Sequence, residues 1–377
     1  MAEYKTLVKK IPVSPDKKTK QKDYLKKGRL PIVDQGQSLV GGYTDDANMT
    51  VECELPVIVF GDHTRAVKYI TFPFGAGADG IKVLQPKENI LPPFLYYGTQ
   101  YIVAKMPNRG YARHYQYVEK EDLPVPSLPE QERIVARIEE LFSQLDAGVE
   151  TLKKTKAQLS VYRQAAITEA FSVENNTPNV CLSDIAQIIG GITKGRDLSG
   201  TETIELPYLR VANVQNGYLD LSEIKTIKLR VDEKERYLLK PGDVLYTEGG
   251  DRDKLGRGTV WRGEIKDCVH QNHIFKARVD QSKAIPVYVA LWSMSTPARN
   301  YFYQKGKQSV NLASINKTVL SALTLPLPTL EKQREIINHI ESRLSVCDSI
   351  EQTVDAALHQ AEAMRQSILK DAFEGKL

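Results

Sequence analysis

From residue 131 to 171, apolar or small side chains return in alternating steps of four and three. They are Ile134, Ile138, Leu141, Leu145, Gly148, Leu152, Leu159, Tyr162 and Ala166, with Thr155 the polar exception. That is a heptad seam, and it predicts one long helix. A second seam reads Ile336, Ile340, Cys347, Ile350, Val354, Ala357, Ala361, Met364 and Ile368, interrupted by Arg343. Each follows a proline-rich stop, Pro124/Pro126/Pro129 and Pro326/Pro328. Proline is tolerated in a first helical turn because its missing N–H had no partner there. About 40 residues rising about 1.5 Å each give rods of roughly 60 Å. A seam this narrow needs a partner helix, whereas a helix lying alone on a core carries a wider apolar stripe. With two matching seams in one chain, each copy is the economical partner of the other.

The rest of the chain alternates differently. Short β-rich runs recur between Gly-, Asp- and Asn-rich loops: Leu55–Phe60, Ile81–Leu84, Tyr208–Val211, Asp243–Tyr246, Thr259–Trp261 and His273–Val279. These predict two mixed α/β or mainly β globules without a Rossmann alternation. The expected organisation is α+β: globules at 1–122 and 176–324, helical segments at 123–175 and 325–377.

An internal repeat ties the halves together. Shifted by 202 positions, Leu123-Pro124-Val125-Pro126-Ser127-Leu128-Pro129-Glu130-Gln131 falls on Leu325-Pro326-Leu327-Pro328-Thr329-Leu330-Glu331-Lys332-Gln333. The register continues without a gap through Ile134/Ile336, Ile138/Ile340, Asp146/Asp348, Arg163-Gln164/Arg365-Gln366 and Ala170-Phe171/Ala372-Phe373. Chance apolar patterning supplies isolated Ile matches, but not Pro, Gln, Arg-Gln and Ala-Phe in one register. The globules share far less.

Charge sharpens this division. The net charge is +4 overall, and the two globular regions carry +4 and +5 against −2 and −3 for the helical segments. Residues 1–30 alone hold ten basic and three acidic side chains. A polyphosphate partner accounts for such a distribution, and so does a solvated basic surface. Cys53, Cys181, Cys268 and Cys347 are scattered without a C-x-x-C pair, which fits a reducing compartment and neither a zinc site nor a disulfide framework. No run approaches the 18 to 20 apolar residues, roughly, that a membrane helix needs. The N-terminal stretch lacks a signal-peptide core, so a cytoplasmic location is expected.

The search for catalytic constellations returns only partial matches. Gly75-Ala76-Gly77-Ala78-Asp79-Gly80 fits G-x-G-x-x-G, but a strand-like Ile81–Leu84 follows where a phosphate cradle needs a helix. Leu91-Pro92-Pro93-Phe94 resembles an amino-methyltransferase loop whose first residue must hydrogen-bond an amine, and leucine cannot. Asp253 with Glu264-Ile265-Lys266 mimics a metal-dependent nuclease pattern that any charged chain of this length contains; a salt-bridged surface strand explains it as well. The six histidines form no metal spacing.

Several segments then occur in a telling order: Leu182-Ser183-Asp184-Ile185, Gly190-Gly191-Ile192-Thr193, Leu209–Val214, Pro241–Leu245, Glu248-Gly249-Gly250-Asp251, Gln271-Asn272-His273 and Asn311–Asn316. With the Leu-Pro-x-Pro-x-Leu-x-x-Gln boundary and terminal Phe-Glu-Gly-Lys-Leu, they resemble the specificity (S) subunits of type I restriction–modification systems over nearly the whole chain. The resemblance implies two target-recognition domains, each reading half of a split double-stranded DNA site, with the two helices pairing as an antiparallel coiled-coil spacer. It further implies two modification (M) subunits docked on the helices, and restriction (R) subunits beyond them. No catalytic centre, metal or cofactor would belong to this chain; S-adenosylmethionine, ATP and Mg would act through the partner subunits. One departure stands out. Leu182-Ser183-Asp184-Ile185 has no evident counterpart in the first half, where the lysine-rich 1–30 stretch stands. Either the first domain starts late or this stretch is a flexible basic arm.

Arginine pairs bidentately with guanine, and asparagine or glutamine with adenine, so polar loop residues near turns are the candidates for reading DNA. In the first globule these are Gln35, Gln37, Tyr43, His63, Arg65, Arg109, Arg113 and His114. In the second they are Lys194, Arg196, Arg210, Asn213, Arg252, Lys254, Arg257, Gln271, Lys305, Lys307, Gln308 and Asn311. Asn213 and Asn311 equally suit turns, and Arg210 a strand bridge. Two other readings stay open: a coiled-coil scaffold that binds only proteins, and a Mg-dependent nuclease using Glu264.

Overall fold

The heptad segments form two continuous helices, Leu128–Ala170 and Leu330–Phe373. The computed structural model describes residues 1–78, 80–107, 110–172, 177–308 and 313–377. It divides into two units, residues 1–153 with 355–377 and residues 154–354. Each long helix thus gives its first part to one unit and the remainder to the other.

Within each unit the helical segments run antiparallel. In the first, Asp146 pairs with Arg365, whose guanidinium lies 4.2 Å above the Phe142 ring. In the second, Arg163 pairs with Asp348 at 2.6 Å and with Glu351 at 2.9 Å, and Arg343 with Glu169 at 2.6 Å. Arg343 therefore interrupts the seam because it bonds across to the other helix. The seam residues Ile134, Ile138, Leu159, Ile336, Ile340, Cys347 and Val354 are buried, Leu141, Leu145 and Leu152 half-buried. Tyr162, Ile350 and Met364 depart from the expected seam at 50%, 40% and 48% exposed, and Gly148 is exposed as well. The helix starts are also wider than a seam. Val135 and Phe142 join Ile134 and Ile138 in one core, and Ile337 joins Ile336 and Ile340 in the other. The helix ends are core helices as well as coil, which is the broad stripe that packing on a globule demands.

The boundary motif explains how each helix is attached. Gln131 is fully buried. Its Oε1 accepts the Leu91 N–H at 2.9 Å, while its Nε2 donates to the Asn89 and Pro126 carbonyls at 3.0 Å each. Gln333 repeats this with the Ile285 N–H at 2.8 Å and the Lys283 and Pro328 carbonyls at 3.1 and 2.9 Å. One amide thus ties together three backbone groups at the start of each helix.

The globules share a topology. The first has an antiparallel sheet in the order Val8–Ile11, Ile81–Pro86, Val57–Gly61, Val67–Ile70. The second orders Ala186–Gly190, Ile274–Val279, Asp243–Thr247 and Gly258–Val260 in the same way. A smaller sheet adjoins each and includes a parallel pair: Leu30–Val33 beside Gly75–Gly77, and Thr203–Leu209 beside Val269–His270. Alternation places Ile58 and Phe60 in one core and Val57 and Val59 in another, so both faces of the sheet are covered. Helices Pro92–Lys105 and Pro286–Met294 follow the sheets.

This topology corrects the expected gap at the N-terminus. Ala2–Glu3 pairs with Asp122–Leu123 and leads into helix Tyr4–Leu7. Asn179–Cys181 pairs with Thr324–Pro326 and leads into helix Leu182–Ile185. Tyr4-Lys5-Thr6-Leu7 is therefore the counterpart of Leu182-Ser183-Asp184-Ile185. Only the buried i and i+3 positions are common to them, Tyr4/Leu7 and Leu182/Ile185, which is too little for the sequence to reveal. Residues 1–30 are neither a late start nor a loose arm, since Val8–Ile11 and Lys18–Thr19 are strands paired to the globule. Glu264 is likewise not part of an ion-paired strand; it accepts the Arg262 N–H at 2.9 Å beside a turn.

Candidate nucleic-acid interface

In the first globule the strands Leu30–Val33 and Val57–Gly61 each end in a polar loop, and two further loops meet them. Thr64 Oγ1 donates to the Gln35 carbonyl, and Gln37 Nε2 to the Thr64 carbonyl at 3.4 Å. The Asp62 N–H donates to Gly80 O at 2.6 Å and the His114 N–H to Asp62 O at 2.8 Å. Arg65 holds a left-handed conformation, φ 61°, and donates to the Met106 carbonyl at 3.3 Å. Beneath them, buried Lys68 donates to the Asp34 carbonyl at 2.8 Å; burial lowers its pKa although Asp34 opposes the shift. The cross-links fix four loops as one edge.

Gln35, Gln37, His63 and Arg65 are brought together on this edge, with Arg113 exposed close by. The Gln35 Oε1 is buried against Gly80 without a hydrogen-bond partner among the described residues. A residue that the sequence reading passed over joins them: Tyr111 is 83% exposed and stacks on His63, centroids 4.3 Å apart and rings within 6° of parallel. Its signal was only an aromatic beside Gly110. His114 is fully buried with Nδ1 3.0 Å from the Asp62 carbonyl, so it braces the loops from inside. Tyr43 sits on strand Gly42–Thr44, paired with Pro31, and not in one of the four loops. Arg109 lies outside the described residues.

The second globule presents the equivalent strand ends. The Gln271 N–H donates to Leu209 O at 2.9 Å, Asn272 to Ile192 O at 2.9 Å, and Glu248 to His273 O at 2.9 Å. Gly191 must be glycine, because a Cβ there would strike the carbonyls of His270 and Gln271. Arg257 donates to Gln215 Oε1 at 3.0 Å, and His273 Nδ1 lies 2.6 Å from Glu248 Oε2. Arg252 donates to the Tyr303 carbonyl at 3.1 Å with its guanidinium 4.3 Å from that ring. Lys254 pairs with Asp251, Lys305 and Lys307 are exposed, and Lys194 is exposed just after Ile192. Gln215 and Tyr303 are the residues missed here, because a single amide in a loop and a single aromatic in a helix carry no pattern; His273 stood in the Gln271-Asn272-His273 segment without being chosen as a candidate. Gln308 follows Lys307 in strand Lys307–Gln308, and Asn311 lies outside the described residues.

Three candidates are engaged elsewhere. Asn213 is 3% exposed; its Oδ1 accepts the Arg210 N–H at 2.8 Å and its Nδ2 donates to the Asp220 and Glu223 carbonyls at 2.8 and 3.0 Å. It serves a turn. Arg210 pairs with the Glu223 carboxylate at 3.0 Å, and Arg196 forks onto Glu233 with two bonds of 2.9 Å.

Behind the edge lie two buried titratable side chains. His270 is fully buried, and Nδ1 lies 2.9 Å from the Ile274 carbonyl, which can only accept; Nδ1 therefore carries the proton. Burial, and then the nearby Lys276 charge, push its pKa down to about 4. Lys276 donates to the Leu238 carbonyl at 2.7 Å, and burial lowers its pKa to about 8. Among the described residues no group of three or more His, Cys, Asp or Glu side chains is placed to hold a metal ion. No described helix is long and apolar enough to cross a membrane.

Each edge therefore offers amides, imidazoles and guanidinium groups on cross-bonded loops, side chains able to meet base edges and phosphates. Comparison with known proteins points the same way. The model of the type I restriction modification DNA specificity domain matches residues 10–160 and 175–360. The StySPI specificity subunit of Salmonella potsdam is 27% identical over 274 residues, covering 68% of this chain and 58% of that protein. The EcoBI specificity subunit of Escherichia coli is 25% identical over 375 residues, covering 90% and 74%. The chain thus spans little more than half the length of the StySPI subunit. A chain from a structural study of type I R-M complex assembly and conformational transition aligns with TM-score 0.68 at 17% identity, over 100% of this chain and 97% of that one. The HsdS subunit from Thermoanaerobacter tengcongensis aligns at 0.50 and 17%, over 100% and 96%. These two likenesses establish the fold. With the family model matched twice over most of its length, the chain belongs to the type I restriction modification DNA specificity domain family and carries two such domains.

Proposed function

We propose that this chain is the sequence-specific DNA-binding subunit of a type I restriction–modification complex, reading a bipartite target with one half-site per globule. The observation that carries this reading is the contrast between constant and variable parts. The helices and their glutamine clamps repeat closely, while equivalent strand ends bear different polar sets: Gln35, Gln37, His63 and Arg65 against Arg252, Arg257, Gln271 and Lys307. A constant spacer joined to two different readers is what two different half-sites require. In this role the chain does no chemistry. It places DNA for M subunits that methylate and R subunits that cleave, and S-adenosylmethionine, ATP and Mg serve those partners.

Methylome sequencing of a host carrying the chain with its M partner is expected to return one split motif. A continuous motif, or no motif, ends the reading. The spacer role has its own test. Leu145 and Leu152 line a cavity of about 260 Å³ with Ala357, Ala361 and Met364. Leu145→Asp with Leu152→Asp sets two carboxylates into this half-buried seam, where an unpaired charge is costly. Assembly with the M subunit is expected to fail, or the spacing within the motif to change; survival of both sinks the spacer role.

A further inference from the structure

The connection between strands Lys18–Thr19 and Leu30–Val33 is densely basic: Lys20, Lys22, Lys26, Lys27 and Arg29 face the single acid Asp23. All five cations are exposed. None of their side chains joins an ion pair among the described residues, although neighbouring Lys17 pairs with Glu52 at 2.6 Å. A loose tail would carry such charge at little cost, because it spreads in solvent. This segment does not spread. Thr19 pairs in register with Gly77, Gln21–Asp23 form a 3-10 turn, and Leu25 bridges Tyr43 through both backbone groups at 2.9 and 3.0 Å. Tyr24 fills the space beside Gly42, and its hydroxyl lies against Gly77 next to Asp34, where burial and the Asp34 charge raise its pKa. Asp34 precedes Gln35, and Gly77 leads into the loop that ends at Gly80. The basic segment is thus braced against the roots of two loops on the first globule's polar edge.

Fixed, unpaired like charges repel one another, and a partner with regularly repeated negative charge offsets that repulsion. Duplex DNA presents one charge per about 1.7 Å of axis. An anionic membrane is the weaker match, because the segment has no apolar face to insert, Leu25 being 43% exposed and alone. We infer that Lys20–Arg29 is a phosphate-binding platform that grips the duplex backbone beside the first half-site, adding affinity without sequence preference. This rests on the DNA-binding reading above.

The test compares the full chain with its Lys20→Gln/Lys22→Gln/Lys26→Gln/Lys27→Gln variant. Each is titrated with a duplex of unrelated sequence across salt from about 50 to 200 mM. At about 0.9 per phosphate contact, the log–log slope of the variant is expected to be shallower by roughly 3 to 4. Circular dichroism should be unchanged because the side chains are exposed, and the methylated motif of the host should stay the same. An unchanged slope overturns the platform, as does an altered motif. Capture of the wild type by phosphatidylserine vesicles, with no change in duplex slope, assigns the patch to a membrane and also overturns it. Failure of the wild type to bind any duplex is a different result, since it brings down the DNA-binding reading itself.

Discussion

Gln131→Ala is expected to lower the stability of the first unit by about 3 kcal/mol, and Gln333→Ala to do the same in the second. Each amide is wholly buried and serves three backbone groups, one N–H and two carbonyls. Removing it takes the partner from three part-buried groups, and an unsatisfied buried group costs about 1 to 3 kcal/mol. Water entering the vacated space recovers part of this, so the loss is set below the sum. Glutamate in place of either glutamine should be no better, because a carboxylate cannot donate to the two carbonyls. Urea unfolding followed by circular dichroism measures the loss; a change under about 1 kcal/mol would mean the clamp is dispensable. A functional cost is expected with it, since the clamp holds the first turn of each long helix to its globule.

The second unit is expected to gain stability with rising pH in two separate windows, because His270 and Lys276 both hold a proton less well in the fold than in the unfolded chain. His270 keeps a pKa of about 4 in the fold against 6.5 outside it. Between those values the unfolded chain takes a proton that the folded chain refuses, so stability falls as pH drops from 6.5 to 4. Lys276 has a folded pKa of about 8 against 10.5. Below 8 the fold carries a desolvated charge. Between 8 and 10.5 the unfolded chain again binds more protons, so stability rises with pH there, until the tyrosines held neutral by burial, Tyr246 and Tyr288, oppose it. Each shift is worth on the order of 3 kcal/mol at full development. Lys276→Met should abolish the rise between pH 8 and 10 and raise stability at neutral pH. The Leu238 carbonyl keeps its second donor, Arg278 Nη2 at 3.2 Å. A rise that persists in Lys276→Met would assign it to another group.

The sequence carried a good deal of this. Heptad spacing located both long helices to within a few residues, because a seam of period 3.5 has no other regular solution. The strands Val57–Gly61, Asp243–Thr247 and Ile274–Val279 were visible as apolar runs between turn residues. Ile81–Pro86 was visible as a strand as well, and it removes the phosphate cradle suggested by the glycines before it. Polar loop residues could be named as candidates from chemistry alone. Their company could not: Gln35, the His63-Thr64-Arg65 loop and Tyr111 are distant in sequence and meet only because several strand ends share one edge. His114 and Asn213 have the right side chains for reading bases, yet tertiary packing turns them inward.

The repeat shows the same division most clearly. Sequence by itself determined that Gln131 equals Gln333, Arg163 equals Arg365, and Asp146 equals Asp348, because one register without gaps relates them. What those residues do was decided only by the tertiary structure. The glutamines became clamps because each helix starts against a turn of its own globule. The charges pair crosswise, Arg163 with Asp348 and Arg365 with Asp146, because antiparallel packing sets the end of one copy beside the middle of the other. Periodicity is a local property of the chain and survives in the sequence. Pairing depends on direction and distance between remote segments, and those exist only after folding.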